Sequence, residues 1–142
     1  MTREKISIGS ASLIEFNSIE DDRGILTSIE GKESIPFVIK RVFYMHHLKS
    51  DRGGHSHIDT DQVVIPIHGS FNVLISDGHQ EKNFILDDCK TGLYIPRRLF
   101  TTLYDFEIED VCLVLANTHY NIANSQRTWE DFLDMKEKTE NA

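Results

Sequence analysis

Cysteine is scarce in this sequence. The 142 residues hold two, Cys89 and Cys112, neither in a CxxC spacing and both in strand-like surroundings. A disulfide framework is not expected from them; two reduced, half-buried thiols are. No apolar run approaches the length of a membrane span, and the opening segment, MTREKISIGS, has no apolar signal region. The expectation is a cytoplasmic protein without membrane contact. Positive charge is also in deficit: 15 lysines and arginines stand against 23 acidic residues, a net charge of −8. That argues against nucleic acid as a partner, because such partners call for a basic face. A small anionic ligand is still compatible if a few arginines gather locally against the overall field.

What is present reads as one all-β domain over residues 1–142. Hydrophobic residues at 39% and charged residues at 27% give a globular composition, and the length supports a core without disulfides or structural metal. Short β-rich runs recur between turn residues: SASLIEF, ILTSIE after a turn at DDRG, a long FVIKRVFYMHHL, VVIPIHG, TGLYIP and VCLVLAN. SFNVLISDGHQEKNFIL reads as a hairpin turning near Asp77-Gly78. Pro66 inside VVIPIH predicts an edge or a bulge. The end differs: Trp129, Phe132 and Leu133 fall at i, i+3 and i+4 among charges, which predicts an amphipathic helix over about 125–138 with Ser125 as N-cap. Eight or more short strands in one domain favour a closed or two-sheet architecture, and a cupin jelly-roll barrel (a double-stranded β-helix) is one such answer.

The stretch RGGHSH, from Arg52 to His57, carries the chemistry. His55 and His57 alternate onto one face of an extended strand. A cupin metal site would add a glutamate a few residues on and a histidine on a distant strand. Here the glutamate position falls on Gln62, with Asp61 beside it and Gly69 at the expected spacing; Pro96 is in place, and the distant histidine is Thr101. An amide and a hydroxyl are poor ligands for zinc, iron or nickel, so no metal is expected, although Asp61 could complete a three-ligand site. The acid–base reading needs no metal: imidazole takes up and returns a proton near neutral pH. His46, His47, His68, His79 and His119 have no motif around them and are read as surface or packing residues.

Taken together, DDRGILTSIE, IPFVIKRVFYM, RGGHSH, DQVVIPIHGSFNVLISDG, TGLYIP and VCLVLAN resemble the bacterial nucleotide-sugar 3,4-ketoisomerases. These are small cupin proteins acting on dTDP-4-keto-6-deoxy-glucose, and the resemblance runs from about Phe16 to Phe132. It implies an isomerase without cofactor or metal that forms a homodimer with exchanged strands. His55 would be the base moving a proton between C3 and C4, and His57 would assist proton movement on the sugar oxygens. Arg23, Arg41, Tyr44 and Arg52 would line the nucleotide-sugar site, with Gln62 and Thr101 also in contact with substrate. Thr101 stands where some members carry a histidine, and Arg97-Arg98 departs from their pattern; both bear on the configuration of the product. The alternatives are a nucleotide-sugar epimerase on the same barrel, a metal-dependent cupin oxygenase, and a module that binds a sugar or nucleotide without turnover.

Overall fold

A computed structural model describes residues 11–140. Its elements run β1 (Ser12–Glu15), β2 (Asn17–Asp21), β3 (Gly24–Ser28), β4 (Arg41–Met45), β5 (Arg52–His57), β6 (Gln62–His68), β7 (Phe71–Ser76), β8 (Glu81–Leu86), β9 (Thr91–Ile95), β10 (Phe100–Tyr104), β11 (Val111–Ala116), β12 (Ser125–Gln126) and helix α1 (Trp129–Glu140). Two five-stranded antiparallel sheets form the body, in the orders β1-β9-β6-β11-β4 and β12-β5-β10-β7-β8. This is the jelly-roll arrangement expected of the alternating strands. The apolar residues that the two sheets turn inward form one core, with Val64, Leu93, Ile95, Cys112 and Val114 from the first sheet and Phe71, Val73, Ile75, Phe84 and Leu103 from the second.

The first sheet is covered on its other face as well. Phe16, Ile35 and Phe37 pack there on Val63, Ile65 and Leu115. That double coverage explains why β6 reads as a continuous apolar run and not as an alternation: both of its faces are dry. Pro66 sits where expected. β6 pairs with β9 only from Gln62 to Val64, and its register with β11 slips between Val111 and Cys112, opposite His68 and Pro66. The missing N–H of proline therefore breaks no regular ladder on either side. The β7–β8 hairpin turns at Asp77-Gly78, where the Asp77 carboxylate accepts from the His79 and Gln80 amides at 2.8 and 2.7 Å.

Three expectations are corrected. In FVIKRVFYMHHL only Arg41–Met45 is strand; Phe37 and Ile39 belong to an irregular segment packed on the outer face of the first sheet. The helix begins at Trp129, not at 125. Ser125 belongs to β12, which pairs with β5, and Thr128 caps the helix, its hydroxyl accepting from the Asp131 amide at 3.1 Å. Pairing with a neighbouring strand overrides the local helical signal at Ser125 and Gln126. The apolar face is as read: Phe132 is fully buried and packs on the Phe100 ring at 5.5 Å. Neither thiol is half-buried. Cys89 is exposed and Cys112 is buried, its thiol pushed up to about 12 by burial.

The β2–β3 hairpin stands apart from both sheets and pairs only with itself. It exposes Ile19, Ile25 and Leu26, an arrangement unfavourable for an isolated chain in water.

Candidate active site

The stretch Arg52–His57 is β5 itself, with β10 on one side and β12 on the other. Leu103 pairs with Arg52, Thr102 with Gly53 and Thr101 with His55, so Gly54 has no partner on β10. This is a β-bulge, and both glycines hold positive φ, +86° and +68°. The extra residue changes which side chains share a face. Leu103 and Thr101 lie two apart on β10 and share one; their partners Arg52 and His55 lie three apart and share it too. The bulge thus brings the Arg52 guanidinium to the side of the two imidazoles.

His55 and His57 stand edge to face with ring centroids 5.0 Å apart. With Arg52, Gln62, Thr101 and Arg97 they line a cavity of about 110 Å³ between the two sheets. Phe43, Val64, Leu99 and Leu103 supply its apolar wall. Ser56, between the histidines, turns the other way and is buried, its hydroxyl donating to Gln126 Oε1 at 2.6 Å. The Arg98 amide donates to the His57 carbonyl at 2.7 Å. The strand bearing the imidazoles is therefore held from both flanks.

Burial is the main cause that lowers both imidazole pKa values. For His55, hydrogen bonding to the Gly53 backbone opposes the shift, and the charges of Arg127 and Arg52 add to it. For His57, His55 and Arg41 reinforce burial and Asp59 opposes them, and the pKa falls to about 4. Both rings are accordingly neutral at neutral pH, the form that accepts a proton. A consequence follows for acid conditions. The unfolded chain binds a proton at His57 near the ordinary value of 6.5, whereas the native chain binds it only near 4. The unfolded state takes up more protons across that window, so this residue makes the native state lose stability as the pH falls through it. Activity should persist below pH 6.5, with its acid limb displaced below the ordinary histidine range; a kcat/KM profile breaking at or above 6.5 would contradict the assignment of neutral bases.

Asp61, the residue that might have completed a metal site, is engaged elsewhere. Its oxygens accept from Arg97 Nε and Nη2, both at 3.1 Å, from the Arg97 amide at 2.8 Å and from Asn117 Nδ2 at 3.0 Å. Among the described residues no group of three or more His, Cys, Asp or Glu is arranged to hold a metal ion. Arg97 is a cavity residue that the sequence reading did not place; the available signal was an unusual arginine pair directly after Pro96.

The remaining arginines and Tyr44 are distributed unevenly. Arg41 opens β4 beside the site: its guanidinium carbon lies 5.3 Å from the centroid of Phe43 and 5.5 Å from that of Tyr120, and its Nε is buried without a hydrogen-bond partner. Tyr44 alternates with Phe43 and projects from the opposite face of β4, exposed and 5.7 Å from the His46 ring. Arg23 sits at the tip of the β2–β3 hairpin, fully in solvent and paired with Asp21 at 2.6 Å. Within one chain the structure brings together His55, His57, Arg52, Gln62 and Thr101, sets Arg41 beside them, and leaves Arg23 and Tyr44 outside.

Residues 9–137 match the family model described as FdtA, WxcM-like, C-terminal. A TDP-4-oxo-6-deoxy-alpha-D-glucose-3,4-oxoisomerase from Aneurinibacillus thermoaerophilus is 35% identical over 122 residues, 84% of this chain and 88% of the relative. QdtA, a sugar 3,4-ketoisomerase from Thermoanaerobacterium thermosaccharolyticum in complex with TDP, superposes with a TM-score of 0.87 at 37% identity, covering 91% of this chain and 96% of that one. A histidine-to-asparagine mutant of QdtA, in complex with TDP-4-keto-6-deoxyglucose, gives 0.88 at 36% identity over 92% and 96%. ChmJ, a 3'-monoepimerase from Streptomyces bikiniensis, gives 0.74 at 16% identity over 85% and 70%, a likeness of fold alone.

Proposed function

The chain belongs to the FdtA family of WxcM-like proteins, and from that membership we propose how its cavity works as the active site of a TDP-sugar 3,4-ketoisomerase. The protein is an isomerase that acts on a TDP-linked 4-keto-6-deoxyhexose, as its relatives do. One observation carries the mechanism: two imidazoles share one strand face, with ring centroids 5.0 Å apart, in a cavity between the sheets.

A ketone at C4 acidifies the hydrogen on C3. Neutral His55 accepts that proton, and the electrons of the broken C3–H bond form a C3–C4 double bond while O4 takes negative charge. His57 accepts the O3 proton and delivers one to O4. Reprotonation at C4 by the His55 imidazolium then leaves a ketone at C3 and a hydroxyl at C4. Protons and electrons balance within the sugar, so no external oxidant or reductant is required. The general acid–base groups contribute typically about 10²–10⁴-fold, and the Arg52 guanidinium would stabilise the enediolate oxygens by charge. Gln62 and Thr101 offer hydrogen bonds to ring hydroxyls, which makes Thr101 the residue expected to bear on which face of C4 receives the proton.

Carbon-13 NMR of the product from TDP-4-keto-6-deoxyglucose tests this reading. The carbonyl resonance should move from C4 to C3. A carbonyl retained at C4, with inversion at a neighbouring carbon, would mean an epimerase instead.

The reading includes a homodimer. The β2–β3 hairpin projects Ile19, Ile25 and Leu26 into solvent, and β4 exposes Val42 and Tyr44 on the outside of the first sheet. Exchange of the hairpin between two chains would cover both surfaces and carry Arg23 to its partner. Sedimentation velocity should give twice the 16.3 kDa chain mass, and removal of residues 17–28 should yield monomer; a monomeric full-length chain would remove the exchange from the account. A cytoplasmic location completes the reading, since the substrate is a charged nucleotide sugar, and cell fractionation placing the protein elsewhere would overturn it.

A further inference from the structure

Three neighbouring strands of the first sheet end side by side next to the cavity. Gln62 opens β6 and pairs with Ile95, the last residue of β9, and with Ala116, the last of β11. Just beyond these ends lie Asp61, Arg97 and Asn117, and they are joined. Asn117 holds Asp61 by its Nδ2, which donates to Oδ2 at 3.0 Å, by its amide, which donates to the Asp61 carbonyl at 3.2 Å, and by its Oδ1, which accepts from the Asp61 amide at 2.8 Å. Asp61 in turn holds Arg97, accepting from Nε, from Nη2 and from the backbone amide. The next residue, Arg98, has a left-handed backbone with φ of +69°, uncommon in a residue that carries a side chain. Its amide donates to the His57 carbonyl at 2.7 Å. Arg97 is thus tied to the strand that bears the imidazoles, through a turn bent at a conformational cost.

The Arg97 guanidinium is used on one edge only. Nε and Nη2 bond the carboxylate, and among the described residues Nη1 has no hydrogen-bond partner. Arg97 lines the cavity and keeps 45% of its side chain exposed, against 15% for Asp61. The pair therefore stands at the open side of the cavity with an N–H edge unpaired. Its charge is balanced by Asp61. An anion placed there would be repelled by the carboxylate as well as drawn to the guanidinium, whereas a neutral hydroxyl accepts from the N–H without that opposition.

We infer that Arg97 Nη1 donates to the 2-hydroxyl of the sugar, and that the Asp61–Arg97 pair thereby sets which sugars are turned over. The inference rests on the ketoisomerase reading and names a specificity residue for it. The chemistry of the substrate selects the atom. O3 and O4 exchange protons in the reaction, O1 carries the diphosphate, O5 closes the ring and C6 is a methyl group; the 2-hydroxyl is what remains. It sits on the carbon next to C3. A donor that grips it, and that is itself tied to the His57 backbone, fixes the C3 hydrogen relative to His55. A site built to bond a hydroxyl discriminates against the analogue that lacks it.

Steady-state kinetics of the full chain with TDP-4-keto-6-deoxyglucose and with its 2-deoxy analogue tests this, on the parent, Arg97→Met and Asp61→Asn. The parent should prefer the 2-hydroxy substrate in kcat/KM by roughly 10- to 100-fold, the range for a hydrogen bond from a charged donor. Arg97→Met should lose that factor on the 2-hydroxy substrate and change by less than about twofold on the analogue, so that the preference collapses. Its affinity for TDP, which lacks the hexose, should match the parent's by calorimetry. Asp61→Asn keeps the guanidinium but loosens the grip on it, and should show an intermediate preference even if Arg97→Met melts early. A parent without preference, equal losses on both substrates, or a preference that survives in both variants would overturn the proposal. Parent protein that moves no ketone from C4 to C3 would overturn the ketoisomerase reading and this inference with it, an outcome distinct from the others.

Discussion

Replacing His55 with asparagine should lower turnover by about 10²–10⁴-fold, the usual contribution of a positioned general base, while the protein still folds and still binds TDP. Asparagine is smaller than imidazole and polar, so it fits the face of β5 without overpacking, and the flanking bonds that hold the strand involve Ser56 and the His57 carbonyl, not the His55 ring. What it lacks is a nitrogen that can accept a proton from carbon. His57→Asn should also be impaired, because transfer between O3 and O4 loses its carrier. Steady-state kinetics with calorimetry in parallel separates loss of chemistry from loss of binding. Turnover by the His55 variant at the parent rate would end its assignment as the base.

The second large effect is expected from a methyl group. Gly53→Ala would set a Cβ 2.7 Å from the Thr101 carbonyl oxygen and 3.3 Å from Leu103 Cδ1, on a backbone with φ of +86°. The nearer obstacle is backbone and not the far end of a flexible side chain, so β5 must move away from β10. Arg52 and His55 lie on either side of the bulge and would move with it. A displacement of about 1 Å at a catalytic group can reduce the rate by about 10²-fold, and a loss of at least that order is expected here. Gly54→Ala is the control: its φ is also positive, +68°, but a Cβ there meets nothing within 4 Å. It should lose only the roughly 1–2 kcal/mol of a left-handed residue and retain most activity. Equal loss in both variants, by thermal melting and kinetics, would show that backbone conformation matters and close approach to Thr101 does not.

These two glycines also mark what could and could not be read from the chain. Strict alternation from Arg52 puts its side chain on the face opposite His55; only the bulge, a tertiary feature of the pairing with β10, reverses that. The imidazole pair was legible because two residues apart on a strand is a local relation. Gln62 and Thr101, the positions singled out by the spacing of the barrel motif, both line the cavity. Arg97 was not singled out in this way, because it reaches the site through a contact with Asp61 that bridges 36 positions of sequence. Tyr44 sits next to Phe43, and alternation along β4 gives the cavity to Phe43. The helix start failed for a related reason: Ser125 has a local signal for a cap, but pairing with β5 uses its backbone first. Arg127 had no local signal at all; it follows β12 directly, and its charge acts on His55 across a long separation in sequence.

The most direct test of the account is where hydrogen arrives on the sugar. TDP-4-keto-6-deoxyglucose should be converted by the parent protein in deuterium oxide and the product examined by proton and carbon NMR. Proton transfer through an imidazole predicts a 3-ketone carrying deuterium at C4, since the His55 imidazolium can exchange with solvent while the enediol persists. A product that keeps its ketone at C4 and carries deuterium on a neighbouring carbon would contradict the account.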